Sequence, residues 1–328
     1  MWPFFGLAGN EHNLNLRQTS RRSIKMAPMA YSLKHTANSQ FLDIRGLRCH
    51  VRTWGEDRAP KLILLHGWMD ISASWQFLVD ALQHEWYVIA PDWRGFGKSE
   101  WCKNGYWFPD YYADLDAMLE HFSPHEAVNL VGHSMGGNIA CIYAGVRPQR
   151  VRRLISMEGF GLPASNPEDA PGRIAEWLEA WRKPPSFKPY ATLDELAARI
   201  RASSKRLSAD QARFLAEEHA QITEEGQVAF SSDAFHKAAN PILYRLEDAK
   251  ACWRNISAPT LWMMGSDSDL MTRMYGAGHE ALTERAACFA SLRQITLAHA
   301  GHMVHHDQAA ACALALEGFL LEAINLNE

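Results

Sequence analysis

Short runs of apolar residues alternate with longer segments of helical periodicity from residue 41 onward. This alternation is typical of a mostly parallel β-sheet covered by α-helices. The runs are continuously apolar, as strands buried on both faces require. The pattern predicts eight strands, at residues 41–46, 47–54, 61–65, 87–90, 128–131, 153–157, 260–264 and 293–297. Helices are expected near residues 71–83, 109–122, 135–146, 276–290 and 305–323.

One long interval interrupts this rhythm. Residues 161–258 contain no good strand candidate, and their composition is rich in Ala, Arg, Glu and Trp. Three helices are expected inside it, at residues 173–181, 193–203 and 208–219. We therefore predict a helical cap, or lid, inserted after the sixth strand of a core formed by residues 41–160 and 259–328. Such a cap would cover the edge of the sheet where open α/β folds bind ligands.

Residues 1–40 precede the first predicted strand. They contain a single acidic residue, Glu11, and a twin-arginine pair at Arg21-Arg22. A twin-arginine signal needs an apolar stretch next, and the stretch that follows is short and soon polar. We expect a poorly ordered extension, or a start codon placed ahead of the true one.

Composition and charge exclude several classes of function. The net charge is −4, from 33 basic and 37 acidic residues. No basic excess is available to neutralise a phosphate backbone, so we expect no nucleic-acid partner. No run of 18 apolar residues occurs, so no membrane span is expected. Six dispersed cysteines lack zinc-site spacing and fit a reducing cytoplasm. The expected partner is a small molecule, and the oligomeric state stays open.

A candidate nucleophile follows the strand at 128–131. Gly132-His-Ser134-Met-Gly136 matches G-x-S-x-G between a strand and a helix. This motif places a serine on a sharp turn, and its glycines let the strand and the helix approach closely. The backbone N–H of Met135, at the start of the helix, would then face the developing negative charge. A second oxyanion donor is expected from the N–H of Trp68, which ends His66-Gly67-Trp68 after the third strand.

A serine needs a base, and the sequence offers fifteen histidines. His302 follows the last strand and precedes the last helix, which puts it at the same sheet edge as Ser134. His299 would be near the same strand end, whereas His305 and His306 fall in the first turn of the helix. The run from His302 to Asp307 fits no standard zinc spacing, so we expect no metal site.

The acid that orients the histidine has three candidates. Asp267 and Asp269 follow the strand at 260–264, and Glu158 follows the strand at 153–157. Either loop can reach a histidine after the last strand. We rank Asp267 first, then Glu158, then Asp269.

The segment from Asp92 to Ser99 ends in Gly97-Lys98-Ser99, like a phosphate-binding loop. The first glycine of that motif would have to stand where Asp92 is, and no G-x-G-x-x-G occurs. We therefore predict a tight structural loop and no cofactor site.

Four motifs occur in a characteristic order: His66-Gly67, Asp92-x-Arg94-Gly95-x-Gly97-x-Ser99, Gly132-His-Ser134-Met-Gly-Gly137 and Gly301-His302. With a helical insertion after the sixth strand, they resemble the α/β-hydrolase fold superfamily over residues 41–325. Within it, His66-Gly-Trp-Met-Asp70 resembles the serine hydrolase-like group and lid-bearing esterases. The resemblance implies a Ser-His-acid triad, no cofactor and hydrolysis of an ester, thioester or related acyl compound.

Two departures from the superfamily pattern bear on the chemistry. The usual acid falls three residues past the glycine after the seventh strand, where this chain has Ser268. Some dehalogenase-type members instead place a glutamate after the sixth strand, which keeps Glu158 open. Epoxide hydrolases and dehalogenases attack with aspartate, so Ser134 disfavours both reactions.

We therefore predict a serine hydrolase that cleaves a small, apolar ester. A carbon–carbon bond hydrolase, a perhydrolase and a non-catalytic binder that senses a ligand are the alternatives. Aromatic side chains of the predicted cap suggest an apolar acyl or alcohol part, although such residues more often form the core of a cap: Trp177, Trp181, Phe187, Tyr190, Phe230, Phe235 and Tyr244.

Overall fold

The computed structural model describes residues 31–276 and 280–322 of the chain. Within these residues the eight predicted strands are confirmed, with small shifts in their bounds, and a short hairpin is added. The strands are β1 (Asn38–Ile44), β2 (Leu47–Trp54), β3 (Lys61–Leu65), β4 (Tyr87–Pro91), β5 (Val128–His133), β6 (Val151–Met157), β7 (Ala220–Ile222), β8 (Val228–Phe230), β9 (Thr260–Gly265) and β10 (Leu292–Leu297).

Eight of these strands form one sheet in the order β1-β2-β4-β3-β5-β6-β9-β10. β2 runs antiparallel to β1 and β4, and the other neighbours are parallel. The carboxyl ends of β3, β5, β6, β9 and β10 therefore meet at one edge. The loops that follow these strands carry the candidate chemistry, so the sheet gathers it along that edge.

Helices cover both faces of the sheet and fill the long interval after β6. They are α1 (Gln76–Val79), α2 (Phe108–Phe122), α3 (Met135–Val146), α4 (Ala170–Arg182), α5 (Leu193–Ser203), α6 (Ala209–His219), α7 (Leu246–Arg254), α8 (Asp269–Tyr275), α9 (Glu280–Ala286), α10 (Val304–Asp307) and α11 (Ala309–Leu321). The helix expected at 71–83 is a 3₁₀ turn, Ser72–Trp75, followed by the single turn of α1. No helix in the described ranges is both long and apolar enough to cross a bilayer.

The sheet is buried on both faces, which explains its continuously apolar strands. On one face, Leu130 of β5 and Trp262 of β9 pack in a cluster with Ile139 of α3. On the other face, Val131 of β5 packs in a cluster with Leu316 of α11. Consecutive residues of one strand therefore enter opposite halves of the core.

The residues between β6 and β9, 158–259, contain α4 to α7 and the hairpin of β7 and β8; we call them the insertion. We expected no strand in this interval, and that prediction is wrong. The two strands of the hairpin were missed because each is only three residues long, too short to give a periodicity signal. Within the insertion, α7 lies against the core, since Ala249 and Trp253 belong to the cluster that contains Ile139 of α3.

The predicted N-terminal extension lies mostly outside the described residues. Its last part, however, is attached to the core. The hydroxyl of Tyr31 donates to the carboxylate of Asp80 over 3.0 Å, and β1 begins at Asn38. The boundary expected at residue 40 therefore falls inside the first strand.

Candidate active site

Ser134 occupies the turn between β5 and α3, in a backbone conformation that side-chain-bearing residues rarely adopt. Its φ is 51° and its ψ is −114°. A Cβ atom on Gly132 would lie 2.3 Å from the carbonyl oxygen of Gly136, and one on Gly136 would lie 2.2 Å from the carbonyl oxygen of Leu65. Only glycine fits at these two positions. The tight packing brings the helix onto the strand and leaves Ser134 at the sheet edge.

The segments that carry the two predicted oxyanion donors both adjoin Ser134. Met135 is the first residue of α3, whose first N–H groups have no acceptor within the helix. Trp68 follows Gly67 in the loop after β3, and a Cβ on Gly67 would lie 3.3 Å from the Cβ of Ser134. The structure thus brings both segments to the serine, and their role as oxyanion donors stays a prediction.

His302 lies in the loop between β10 and α10, and its ring contacts Glu158. The Nδ1 of His302 is 3.1 Å from the Oε2 of Glu158. The buried carboxylate also accepts the N–H of Gly265 over 2.8 Å and the hydroxyl of Ser268 over 2.5 Å. An ionised carboxylate only accepts hydrogen bonds, so an ionised Glu158 requires Nδ1 to carry the proton and leaves the basic lone pair on Nε2.

The environment of His302 suits a general base. Burial lowers the pKa of its imidazole below the ordinary value, so the ring is neutral at neutral pH. The carboxylate beside Nδ1 would stabilise the imidazolium that forms when Nε2 accepts a proton.

Asp267, the acid ranked first from the sequence, is engaged elsewhere. One of its carboxylate oxygens is 2.5 Å from a guanidinium nitrogen of Arg206, and the other accepts the hydroxyl of Ser266 over 2.7 Å. The side chain is 45% exposed. Asp269 is an exposed residue at the start of α8. The structure therefore brings Glu158 to His302, and the preference for Asp267 is not supported by this geometry.

Ser268 helps to hold the Glu158 carboxylate beside His302. It stands where the superfamily commonly has its acid, and its hydroxyl donates to Glu158. The Glu158 carboxylate, from the loop after β6, therefore accepts a hydrogen bond from a residue of the loop after β9. Sequence reasoning noted Ser268 only as a departure, because a hydrogen bond across two loops has no signal along the chain.

Ser134 and His302 border one cavity of about 430 Å³. Its core side includes Trp68 and Leu270, and its insertion side is formed by residues of α5, α6 and β8. Ser134 is 5% exposed, so the cavity reaches a largely buried hydroxyl. A volume of this size suits a small organic ligand.

Most of the aromatic side chains expected to shape the substrate pocket lie elsewhere in the insertion. Phe230 lines the cavity. Trp181 packs instead between Trp177 and Phe235, with ring centroids 6.1 and 4.6 Å away. Cationic side chains of Arg199, Arg206 and Arg273 take part in the cavity wall. The wall is thus more polar than the sequence suggested.

A cluster beside the cavity has the donor set of a metal site. Asp70, His133 and His305 offer ligand atoms that all lie within 4.8 Å of one another. Sequence reasoning rejected a metal from the spacing of residues 302–307. It could not find this group, because its members come from three distant parts of the chain.

Comparison with known proteins agrees with this architecture. The family model for the alpha/beta hydrolase fold matches residues 60–309. The serine hydrolase-like protein of Danio rerio is 22% identical over 281 residues, which cover 82% of this chain and 84% of that protein. The 3-hydroxybutyrate-oligomer hydrolase of Cupriavidus necator is 27% identical over 81% of this chain and 90% of its own length. The solved thioesterase domain from the curacin biosynthetic pathway superposes with a TM-score of 0.77 at 25% identity, and the match covers 86% of this chain and 99% of that domain. The match to the family model, over most of the chain, shows that this protein belongs to the alpha/beta hydrolase fold family.

Proposed function

We propose that this protein is a serine hydrolase that cleaves an ester or related acyl bond through Ser134, His302 and Glu158. The observation that carries the proposal is the shared cavity of a serine on a strained turn and a histidine bonded to a buried carboxylate. Similar proteins named as a thioesterase domain and an oligomer hydrolase support acyl chemistry.

The reaction follows from the roles that the geometry allows. The Oγ of Ser134 attacks the substrate carbonyl while Nε2 of His302 takes the hydroxyl proton. The N–H groups of Met135 and Trp68 would stabilise the oxyanion. When the tetrahedral intermediate collapses, the bond between the carbonyl carbon and the leaving group breaks. His302 returns the proton to the leaving group. Water then hydrolyses the acyl-serine by the same sequence.

The cavity indicates a small substrate with an apolar part. Its apolar wall includes Leu215 from α6 and Phe230 from β8, and Ile200 adds to it from α5. These residues come from the insertion, so we propose that the insertion acts as a cap that shapes the acyl or alcohol pocket. An ester series that varies in chain length would measure that pocket directly.

Ser134→Ala is the direct test. We expect the variant to lose about 10³-fold or more of the turnover of p-nitrophenyl butyrate, since the nucleophile and its base act as one unit. A fluorophosphonate probe should label the wild type and fail to label Ser134→Ala. Ser257→Ala, at an exposed serine before β9 that does not line the cavity, is the matched control and should retain both properties.

Equal turnover in the wild type and Ser134→Ala would contradict the proposal. Probe labelling of Ser134→Ala at wild-type level would do the same, because it would place the reactive serine elsewhere. Circular dichroism and thermal unfolding of each variant establish that the fold is retained.

A further inference from the structure

Three buried side chains meet beside the cavity but outside the proposed triad. Asp70 lies in the loop after β3, His133 ends β5, and His305 lies in α10. Their ligand atoms all lie within 4.8 Å of one another. The exposed fractions of the three residues are 6%, 2% and 0%. The fold therefore assembles a compact group of one carboxylate and two imidazoles in its interior.

Three of the four ring nitrogens in this group have no hydrogen-bond partner among the described residues. Nε2 of His133 is 2.8 Å from the backbone carbonyl oxygen of His302, so Nε2 carries the proton and Nδ1 is a lone pair. That Nδ1 has no hydrogen-bond partner among the described residues, and neither does either ring nitrogen of His305. Buried polar atoms are rarely left in this state, because an unsatisfied group costs free energy.

Asp70 does not supply these nitrogens with hydrogen bonds. Its carboxylate accepts the hydroxyl of Ser74 over 2.8 Å. The same oxygen, Oδ2, is 4.0 Å from Nε2 of His305, and the other oxygen is 4.0 Å from Nε2 of His219 at the end of α6. These separations are too long for hydrogen bonds.

We propose that Asp70, His133 and His305 form a binding site for a divalent transition-metal ion, with zinc as the expected occupant. Two imidazole nitrogens and one carboxylate oxygen are ligands that zinc takes at about 2.0–2.2 Å. Ligand atoms 4.8 Å apart would have to move inward by about 0.7 Å each to reach that bond length. His219, whose Nε2 is 4.0 Å from the other carboxylate oxygen of Asp70, lies outside this group of three.

The position of the site suggests what the ion does. The proton on Nε2 of His133 holds the backbone of His302, and a Cβ on Gly67 would lie 2.9 Å from Nδ1 of the same ring. An ion on Nδ1 would fix the tautomer of His133 and tie the loop after β3 to α10. It would stabilise the scaffold of the active site and take no part in proton transfer at Ser134.

Metal uptake by the untagged full-length protein tests the site. Protein stripped with a chelator is incubated with zinc or cobalt(II), passed through a desalting column and analysed for bound metal. We expect one equivalent of metal and, at a free concentration about 100 times the Kd, a rise in Tm of roughly 5 °C or more. The conservative variants Asp70→Asn and His305→Gln should each lose at least about tenfold in affinity. His121→Gln, at an exposed histidine of α2, is the matched control and should bind as the wild type does.

Two results would overturn the proposal. One is a wild-type protein that retains only traces of metal after desalting, which would indicate that ordered water satisfies the cluster. The other is binding that persists in both ligand variants, which would place the metal on surface histidines. The wild-type measurement needs no variant to fold. Ser134→Ala should bind metal as the wild type does. Metal binding therefore tests the metal-site proposal independently of the hydrolase proposal.

Discussion

Replacing Glu158 by glutamine removes one negative charge from the site and preserves the shape of the side chain. In the native site, Oε1 accepts the N–H of Gly265, while Oε2 accepts Ser268 and Nδ1 of His302. The backbone N–H needs an acceptor, so the amide oxygen of the introduced side chain would face Gly265 and its NH₂ would face His302. An NH₂ donor forces Nδ1 to accept, which moves the imidazole proton to Nε2. The histidine could then no longer take the proton of Ser134.

The size of the expected fall in kcat follows from the same geometry. With an effective dielectric constant of about 20, an imidazolium and a carboxylate separated by 3.1 Å attract one another by about 5 kcal/mol. Each 1.36 kcal/mol of transition-state stabilisation is roughly tenfold in rate. Since the amide retains the packing of the carboxylate, we expect kcat to fall by about 10³–10⁴-fold.

The assay compares Glu158→Gln with Asp267→Asn, using p-nitrophenyl butyrate and purified protein of verified fold. Asp267 forms an exposed ion pair with Arg206, and such pairs contribute little. Asp267→Asn should therefore retain kcat within about threefold. The reasoning fails if Glu158→Gln stays within about tenfold of the wild type while Asp267→Asn loses more than about a hundredfold. That result would return the acid to the loop after β9.

Two further predictions concern stability. Gly136→Ala should lower the free energy of unfolding by about 2–3 kcal/mol in a urea titration, because the added Cβ would lie 2.2 Å from the carbonyl oxygen of Leu65. Gly172→Ala is the control and should be neutral or slightly stabilising, because a Cβ added at Gly172 would face open space. Equal effects of the two substitutions would contradict the packing argument. Burial lowers the pKa of His66 and of His219 from 6.5 to about 4, so the unfolded chain binds more protons than the folded one below pH 6.5. The stability that these groups contribute is fully present above pH 6.5 and is lost as the pH falls towards 4, by about 2 kcal/mol each at pH 5. Urea titrations at pH 7 and pH 5 measure this loss, and an unchanged free energy of unfolding would refute it.

Sequence reasoning succeeded where the determinants are local. The strands of the main sheet are continuous apolar runs because both faces are covered, and that composition is visible without a structure. The turn at Ser134 was predictable because the close contacts of Gly132 and Gly136 lie within or beside one short motif. In each case a few neighbouring residues carry the constraint.

Reasoning from the sequence was weaker where distant loops must meet. Asp267 and Glu158 both follow strands that end at the same edge, so strand order could not distinguish them. The choice depends on which side chain turns towards His302, and Ser268 and Gly265 affect it by hydrogen bonding to Glu158. The group of Asp70, His133 and His305 is harder still, since no pair of its members shares a local motif.

The position of Glu158 after β6 has a mechanical consequence. The N–H of Ser134 donates to the carbonyl oxygen of Met157 over 2.8 Å, and the N–H of Glu158 donates to the carbonyl oxygen of Met263 over 3.0 Å. The proposed nucleophile and acid are therefore held by ladder hydrogen bonds of adjacent strands, at residues next to one another across the sheet. An acid on the loop after β9 would instead depend on the conformation of that loop. The backbone of the sheet thus fixes the spacing between the main chains of Ser134 and Glu158. We therefore expect substitutions of the exposed Asp267 and Asp269 to leave the proposed triad undisturbed.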